Sequence, residues 1–519
     1  MKVEIGNLAI SIEKEQKSEI IKAITEAGIS ISNLKGFAIL KKSIDSRNKN
    51  NIKFIYTIEA EIDKKIDLAK VKAKIVEEKE NVKRKPIKVD GNIVVIGAGP
   101  AGVFAALRLC EYGYKPIIFE RGEDVDKRSE SVTKFWNEKI LNTESNVQYG
   151  EGGAGTFSDG KLATRIKSEY IEKVFSEFVE AGADSEILYD FKPHIGTDVL
   201  QNVVRNMRKK IESMGGRFYF ESKLTDIRIE NDLVKYIIIN NSEKIEIKHM
   251  ILAIGNSARE TYKMLYNNGV YIENKDFAVG VRIDNPREDI DKLQYGNSYK
   301  NPALGAAPYS FTYNSAIEKR GTFTFCMCPG GEIVNASSEI DGRVTNGMSY
   351  SKRNSKFSNS AVIVQVGAKN FGNDIFAGIK FQEKIEKTAY NISKNGAVYQ
   401  SLSDFMSNKK SKIILPNSYK MELVSEKIDN ILPIDVCENL RAAFSSWSRH
   451  KLFMSDRAVL IGPETRTSAP IRIKRDINGV SISTNNLYPI GEGAGYAGGI
   501  TSSAVDGIKL IDTIFTVKE

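Results

Sequence analysis

An α/β fold is predicted by three features of this chain. Ile93–Ile96 is a short β-branched run, as in a buried parallel strand, and Gly97, Gly99 and Gly102 follow it as G-x-G-x-x-G. Ala101–Cys110 is apolar and rich in helix formers, and Ile117–Phe119 reads as a second strand closed by Glu120. Near the other end, VSISTNNLYPIGEGAGYAGGITSSAVDGIKLIDTIF (480–515) repeats strand, glycine turn and apolar helix. Together these predict a discontinuous Rossmann-like nucleotide-binding domain. An inserted α+β domain and a small N-terminal α+β domain complete the architecture.

The first motif has a physical logic. Gly97 permits the tight turn, Gly99 lets backbone approach a pyrophosphate, and Gly102 lets helix pack on strand. Pro100 and Ala101 open a helix whose free N–H groups and partial positive charge suit phosphates. Glu120 is placed to accept hydrogen bonds from a ribose hydroxyl. The glycine spacing alone is weak evidence. With strand, helix and distal acid in register it points to a dinucleotide.

Residues 1–85 read as a small domain and linker. Ser18–Ala27 is expected to be helical, with strands at Phe37–Lys41 and Ile52–Ile62 around a basic loop, KKSIDSRNKNN. That loop is either a solvated turn or a contact for an acidic partner. Residues 90–165 hold the first part of the nucleotide domain, including a helical stretch at Asp124–Asn142. Residues 166–215 carry helices at Ser168–Ala181 and Gly196–Met214. Residues 216–260 alternate as a meander of strands and end in His249–Ile254. The inserted domain spans 262–450, with strands at Thr322–Met327 and Ala361–Val366 and helices at Gln382–Asn395 and Val436–Trp447. Residues 455–519 return to the nucleotide domain.

Composition narrows the classes. A chain of 519 residues is too long for one ordinary core, and 41% hydrophobic with 27% charged residues is usual for a globular protein. The net charge of +9 suits acidic ligands but does not by itself argue for nucleic acid. Four cysteines, Cys110, Cys326, Cys328 and Cys437, make no disulfide framework and suggest a reducing, cytoplasmic home. The start, MKVEIGNLAISIEKEQ, has acids where a secretory signal would be apolar. No membrane span is expected, and three histidines with scattered cysteines offer no metal site.

The second glycine turn decides the cofactor. Gly491 and Glu492 follow a strand, and Gly498, Gly499 and Ile500 open the last helix. An acid at such a strand end binds ribityl hydroxyls in many FAD enzymes, usually as Asp after Gly. The helix N-terminus then faces the flavin pyrimidine ring. One fingerprint near the start and a glycine–acid turn near the end suit FAD, where NAD(P) alone would not need the second. If NAD(P)H takes part, it docks transiently without its own Rossmann domain.

The stretches ERG (120–122), YGEGGAGTFSDGKLATR (149–165), FAVGVRIDNP (277–286), TFCMCPGG (324–331), NASSE (335–339), NGMS (346–349), PETRTSAPIRI (463–473) and YPIGEGAGYAGGITSSAVDGI (488–508) resemble a known family. It is a bacterial family of uncharacterised FAD-dependent, NAD/FAD-utilising dehydrogenases. It is distantly similar to the flavoproteins that include glutathione reductase and fumarate reductase. The resemblance covers nearly the whole chain. Asn285 departs from it, since the family more often carries His before that proline. The resemblance implies that Gly152, Gly153, Gly155 and Thr156 line the flavin pyrophosphate, and a glycine-rich run does offer a nest of backbone N–H groups. Arg121 is either beside the adenine or its ribose, or a surface residue.

The candidates for chemistry are Cys326, Cys328, His450 and Arg466. On a regular strand Cys326 and Cys328 would share one face, where adjacent thiols rarely reach disulfide geometry, so buried core thiols are the competing reading. His249 is expected to be structural, and His194 and His450 sit in basic loops. Arg466 suits an anionic group, or else ties the inserted domain to the sheet. The expectation is an FAD-dependent oxidoreductase acting on a small molecule by hydride transfer through non-covalent FAD. Three alternatives stand beside it: a lipid or polyprenyl double-bond reductase with a long apolar tunnel, a flavoprotein acting on RNA through the N-terminal unit, and a non-catalytic redox sensor.

Overall fold

The computed structural model describes residues 1–63, 72–76, 83–315, 319–448 and 456–518. Its nucleotide domain is built on a parallel five-stranded sheet in the order 487–489, 249–252, 93–96, 117–119 and 217–219. Ile93–Ile96 sits at the centre and is buried throughout, which explains its β-branched, unalternating sequence. The strands come from three separated pieces of chain, 93–119, 217–252 and 487–489.

Helix Pro100–Glu111 leaves the central strand with Pro100 in its first turn. Helix Ile500–Ile514 crosses it closely. Asp512 locks the pair from one end, accepting from Arg108 Nε at 2.6 Å and from the Tyr112 and Tyr170 hydroxyls. Between 217–219 and 249–252 the chain makes an antiparallel meander, 224–230, 233–239 and 243–246. Asn231 and Asp232 turn its first hairpin, both with positive φ.

The inserted domain is a seven-stranded sheet in the order 312–315, 320–328, 357–366, 277–286, 459–464, 397–401 and 423–425. Its pairs are antiparallel except the last, which is parallel. Val459–Glu464 corrects the boundary expected at 455: it pairs with 277–286 and 397–401, not with the nucleotide sheet. A fully buried strand reads alike in either sheet, so its sequence could not assign it. One face of this sheet, with Val279, Val281, Val362 and Val364, shares a core with helix Ile434–Trp447. The other, with Ala278, Phe323, Phe325, Ala361 and Ile363, turns toward the nucleotide domain.

The N-terminal unit is an antiparallel sheet in the order 34–45, 53–62, 2–11 and 74–75, beside helix Gln16–Glu26. Lys2–Ser11 is a further strand of this unit, and it carries a bulge between Ile5 and Leu8 with Asn7 at positive φ. The basic loop is anchored at its base: Lys42 N–H donates to the Tyr189 carbonyl, and Lys42 O accepts from Phe191 N–H. Among the described residues no helix is long and apolar enough to cross a membrane.

Candidate flavin site

Both glycine turns open onto one cavity of about 400 Å3. Gly97 shows why its position excludes a side chain. Its φ is 103°, and a Cβ there would stand 2.3 Å from the Ala253 carbonyl oxygen. The tight turn delivers Gly99, Pro100 and Ala101 to the cavity wall as the first turn of a helix. Gly498, Gly499 and Ile500, the first turn of the last helix, border the same cavity. Two helix N-termini therefore converge on one space, each a source of free N–H groups and partial positive charge.

The glycine loop after helix Val125–Glu138 forms a third wall. Gly152 N–H donates to the Ala98 carbonyl at 2.8 Å, which draws this loop onto the first turn. Gly153 has φ 63°, and a Cβ there would stand 3.1 Å from Gly99 Cα. Gly153 and Gly155 border the cavity. Gly152 and Thr156 do not: Thr156 is buried, and its Oγ1 lies 2.1 Å from where a Gly152 Cβ would be. Gly102 also lies behind the wall, against the Gly97 carbonyl oxygen, in the packing role its spacing predicts.

Glu120 occupies one end. Its carboxylate accepts from the N–H groups of Ala98 at 2.8 Å, Gly122 at 2.9 Å and Gly150 at 3.0 Å. It thus clamps the first turn to the glycine loop while still bordering the cavity. A carboxylate has about four acceptor sites, so one is left for a hydroxyl. Arg121 also borders the cavity and is no surface residue. It pairs with Glu144 at 2.6 Å and Glu260 at 3.0 Å, over the Tyr149 ring at 3.8 Å. Its Nη1 is buried without a hydrogen-bond partner.

Gly491 and Glu492 lie on the wall between the two helix ends. Gly491 N–H is held by Asp506 at 2.8 Å, and Glu492 Oε1 accepts from Ala469 N–H at 2.9 Å. Burial pushes the Glu492 carboxyl up to about 7, against the Ala469 hydrogen bond and nearby Lys275.

The far end is closed by the inserted domain through Phe325, Cys326, Asn346 and Glu464. Arg466 reaches this wall too, but its guanidinium is committed to the protein. It contacts Glu386 at 2.9 Å, Ser338 at 2.5 Å and Glu339 at 3.3 Å. Arg259 binds the same Glu386 at 2.8 Å. Arg466 therefore ties elements of the inserted domain to one another. His450 lies outside the described residues. His194 Nε2 contacts the Ser351 carbonyl at 3.1 Å, and burial lowers its pKa. His249 Nδ1 contacts the Tyr488 hydroxyl at 2.9 Å, a structural placement. Asn285 is fully buried in its strand, away from this wall.

Sequence reasoning passed over Asp159, Lys161 and Glu464, which all border the cavity. Lys161 pairs with Asp159 at 2.9 Å, and Arg353 pairs with Asp159 at 2.6 Å. The signal was present: SDGK follows the glycine nest directly.

A second cavity of about 1000 Å3 adjoins the first through Phe325, Thr467 and Gly498. Its floor includes Ala278, Phe323 and Ile363, and its walls carry Asp276, Lys319 and Lys369. Among the described residues no group of three or more His, Cys, Asp or Glu is placed to hold a metal ion.

Three family models match the chain: a domain of unknown function over 1–61, pyridine nucleotide-disulphide oxidoreductase over 91–260, and FAD-dependent protein, C-terminal domain-like, over 276–467. An uncharacterized protein of Clostridium beijerinckii is 42% identical over 527 residues, covering 99% of this chain and 98% of that one. Among solved structures, CtdE in complex with FAD is 12% identical, covers 81% of this chain and 82% of that chain, and gives a TM-score of 0.29. L-amino acid deaminase from Proteus vulgaris is 12% identical, covers 85% of this chain and 96% of that chain, and gives 0.32. The chain belongs to the family of the clostridial protein, a family of FAD-dependent oxidoreductases.

Proposed function

We propose that this protein holds one FAD, non-covalently and extended, in the cavity between its two glycine turns, and works as an oxidoreductase on a small molecule. The observation that carries the reading is the convergence of two helix N-termini, at Pro100 and Ile500, on one cavity. The residues suit the cofactor. Gly99 and Gly153 leave their meeting point free of side chains, where a pyrophosphate needs backbone contact. The buried, unpartnered Arg121 Nη1 offers a donor at the adenosine end. Glu492 Oε2 faces Gly498, where a ribityl chain would pass.

Bound FAD supplies the hydride-transfer chemistry. The chain's own part is to bind, orient and exclude water. Glu120 and the glycine loop fix the adenosine half, and the N-terminus of helix Ile500–Ile514 stabilises negative charge at the other. Phe325 separates the flavin cavity from the second one, which is the proposed route for substrate and for any transient nicotinamide donor.

The walls of the second cavity combine apolar rings with charged groups, which favours an amphipathic or anionic small molecule over a purely apolar lipid. The base of the basic N-terminal loop is pinned to residues 189–191, which disfavours the RNA reading. All four cysteines are unpaired, in keeping with a reducing cytoplasm. The test is anaerobic addition of NADH, then NADPH, to the purified protein. Bleaching of the flavin absorbance within seconds supports a nicotinamide-linked enzyme. A stable yellow protein that neither reduces favours another donor or the sensor reading.

A further inference from the structure

Strand Arg320–Cys328 pairs regularly with Phe357–Val366 as far as Phe325 opposite Ala361, and resumes at Cys328 opposite Asn359. Cys326 and Met327 together face Ser360, so the strand bulges there. Cys326 carries φ 44°, a left-handed conformation that a β-strand residue rarely adopts. The bulge breaks the alternation that the sequence led us to expect. Cys326 borders the flavin cavity and is half-buried, while Cys328 is fully buried behind it.

The two thiols sit among cations. Cys328 Sγ lies 3.8 Å from Lys161 Nζ and 3.8 Å from Arg282 Nη2. Arg282 Nη2 also donates to the Cys326 carbonyl at 2.8 Å, and Cys328 Sγ lies 3.3 Å from that same oxygen. Other charged groups face this cluster from each side. Asp159 and Arg353 flank Lys161, and Glu464 holds Arg282 at 2.8 Å. An electropositive, partly accessible setting is what separates reactive cysteines from inert core ones.

We propose that Cys326 and Cys328 form a redox-active dithiol that exchanges an electron pair with the flavin, Cys326 reacting first. The proposal rests on the reading that FAD occupies the cavity. In one direction an S–S bond forms between Cys326 and Cys328 while two electrons and two protons pass to oxidised FAD. In the other, reduced FAD returns them, the S–S bond breaks and both thiols are restored. A disulfide across one intervening residue is strained, and strained disulfides are the labile ones. That suits a relay and not a structural bridge.

The protonation pattern agrees. A hydrogen bond from the Cys328 thiol, aided by Lys161 and Arg282, holds Cys326 below the ordinary thiol range despite its burial. The same hydrogen bond and burial push Cys328 up. The two thiols thus share a proton, and the cations beside them favour a thiolate in the pair.

Two measurements on the holoprotein test this. The first is iodoacetamide labelling across pH, read by mass on the tryptic peptide Gly321–Arg343, which contains both cysteines. Cys326 is expected to label with a midpoint below the ordinary thiol pKa of about 8.5. C328A moves the midpoint upward and slows labelling about tenfold at pH 6. The second is anaerobic dithionite titration after mild diamide oxidation. Wild type takes up twice the reducing equivalents per FAD that C326S does, and its oxidised peptide is lighter by two hydrogens.

Equal uptake by wild type and C326S, with FAD bound in both, overturns the dithiol and leaves the flavin reading intact. So does Cys326 labelling only at the ordinary thiol pKa of about 8.5. Failure of wild type to bind FAD overturns the flavin reading itself.

Discussion

Gly507 lies directly over Ala101: a Cβ at Gly507 would stand 2.4 Å from the Ala101 carbonyl oxygen. The last helix therefore crosses the first at backbone distance. This crossing sets both N-termini on the same cavity, although 400 residues separate Pro100 from Ile500. Gly507→Val forces the helices apart. Overpacking of this kind costs about 1–3 kcal/mol. The urea midpoint is expected to fall and FAD to be lost on gel filtration. Unchanged stability and cofactor content would show that the crossing does not set the site.

Glu120 gathers three backbone N–H groups, from Ala98, Gly122 and Gly150. Glu120→Ala leaves all three without that acceptor. We expect FAD affinity to fall about tenfold to a hundredfold, as for one lost charged hydrogen bond. Glu120→Gln, which keeps an acceptor oxygen, should lose less. Fluorescence quenching of added FAD measures both. Equal affinity in Glu120→Ala would mean that the clamp is formed by the backbone alone.

Glu386 is wholly buried between Arg259 and Arg466, and its Oε1 also accepts from Thr465 Oγ1 at 2.6 Å. Burial alone would raise its pKa, but the two guanidinium groups hold it at about 2. An unfolded glutamate titrates near pH 4.3. Its contribution to stability is therefore present above about pH 4 and lost as pH falls toward 2. Glu386→Ala leaves two buried cations with only the partly exposed Glu339 between them and should destabilise by about 3–5 kcal/mol at pH 7. The difference should shrink on acidification, in urea melts at pH 7 and pH 3.

Asp284 has the opposite sign. Burial pushes its carboxyl up to about 7, although Ser418 N–H donates to it at 2.7 Å. A carboxyl raised above its unfolded value of about 4 contributes fully below that value, and the contribution is lost as pH rises through 7. Asp284→Asn cannot ionise and keeps an acceptor for Ser418. It should therefore gain on wild type between pH 5 and pH 8. Thermal melts at the two pH values would refute this if the gap stayed constant.

The nucleotide half of the molecule was legible because its chemistry is local. Strand, glycine turn and helix fall within 93–111, and no distant partner is needed to recognise them. The inserted domain was less so. Val459–Glu464 is a uniform buried run, and nothing in such a run names its sheet. Arg466 could be read from its neighbours as an anion binder, since Glu386 and Arg259 arrive from distant sequence. Cys326 and Cys328 were read as same-face strand residues because a bulge is decided by pairing across the sheet. Asp159 and Lys161 were overlooked because the glycines beside them gave the stronger pattern.

The central claim is that FAD fills the cavity where Gly99 meets Gly153. Gly153 is held at φ 63°, so any side chain there is strained as well as obstructive. The most direct measurement is the FAD released on heating from purified wild type and from Gly153→Val. The account predicts a yellow wild type with one FAD per chain, and a folded variant that is colourless. A wild type that stays colourless after incubation with FAD, or a variant with undiminished FAD, would contradict it.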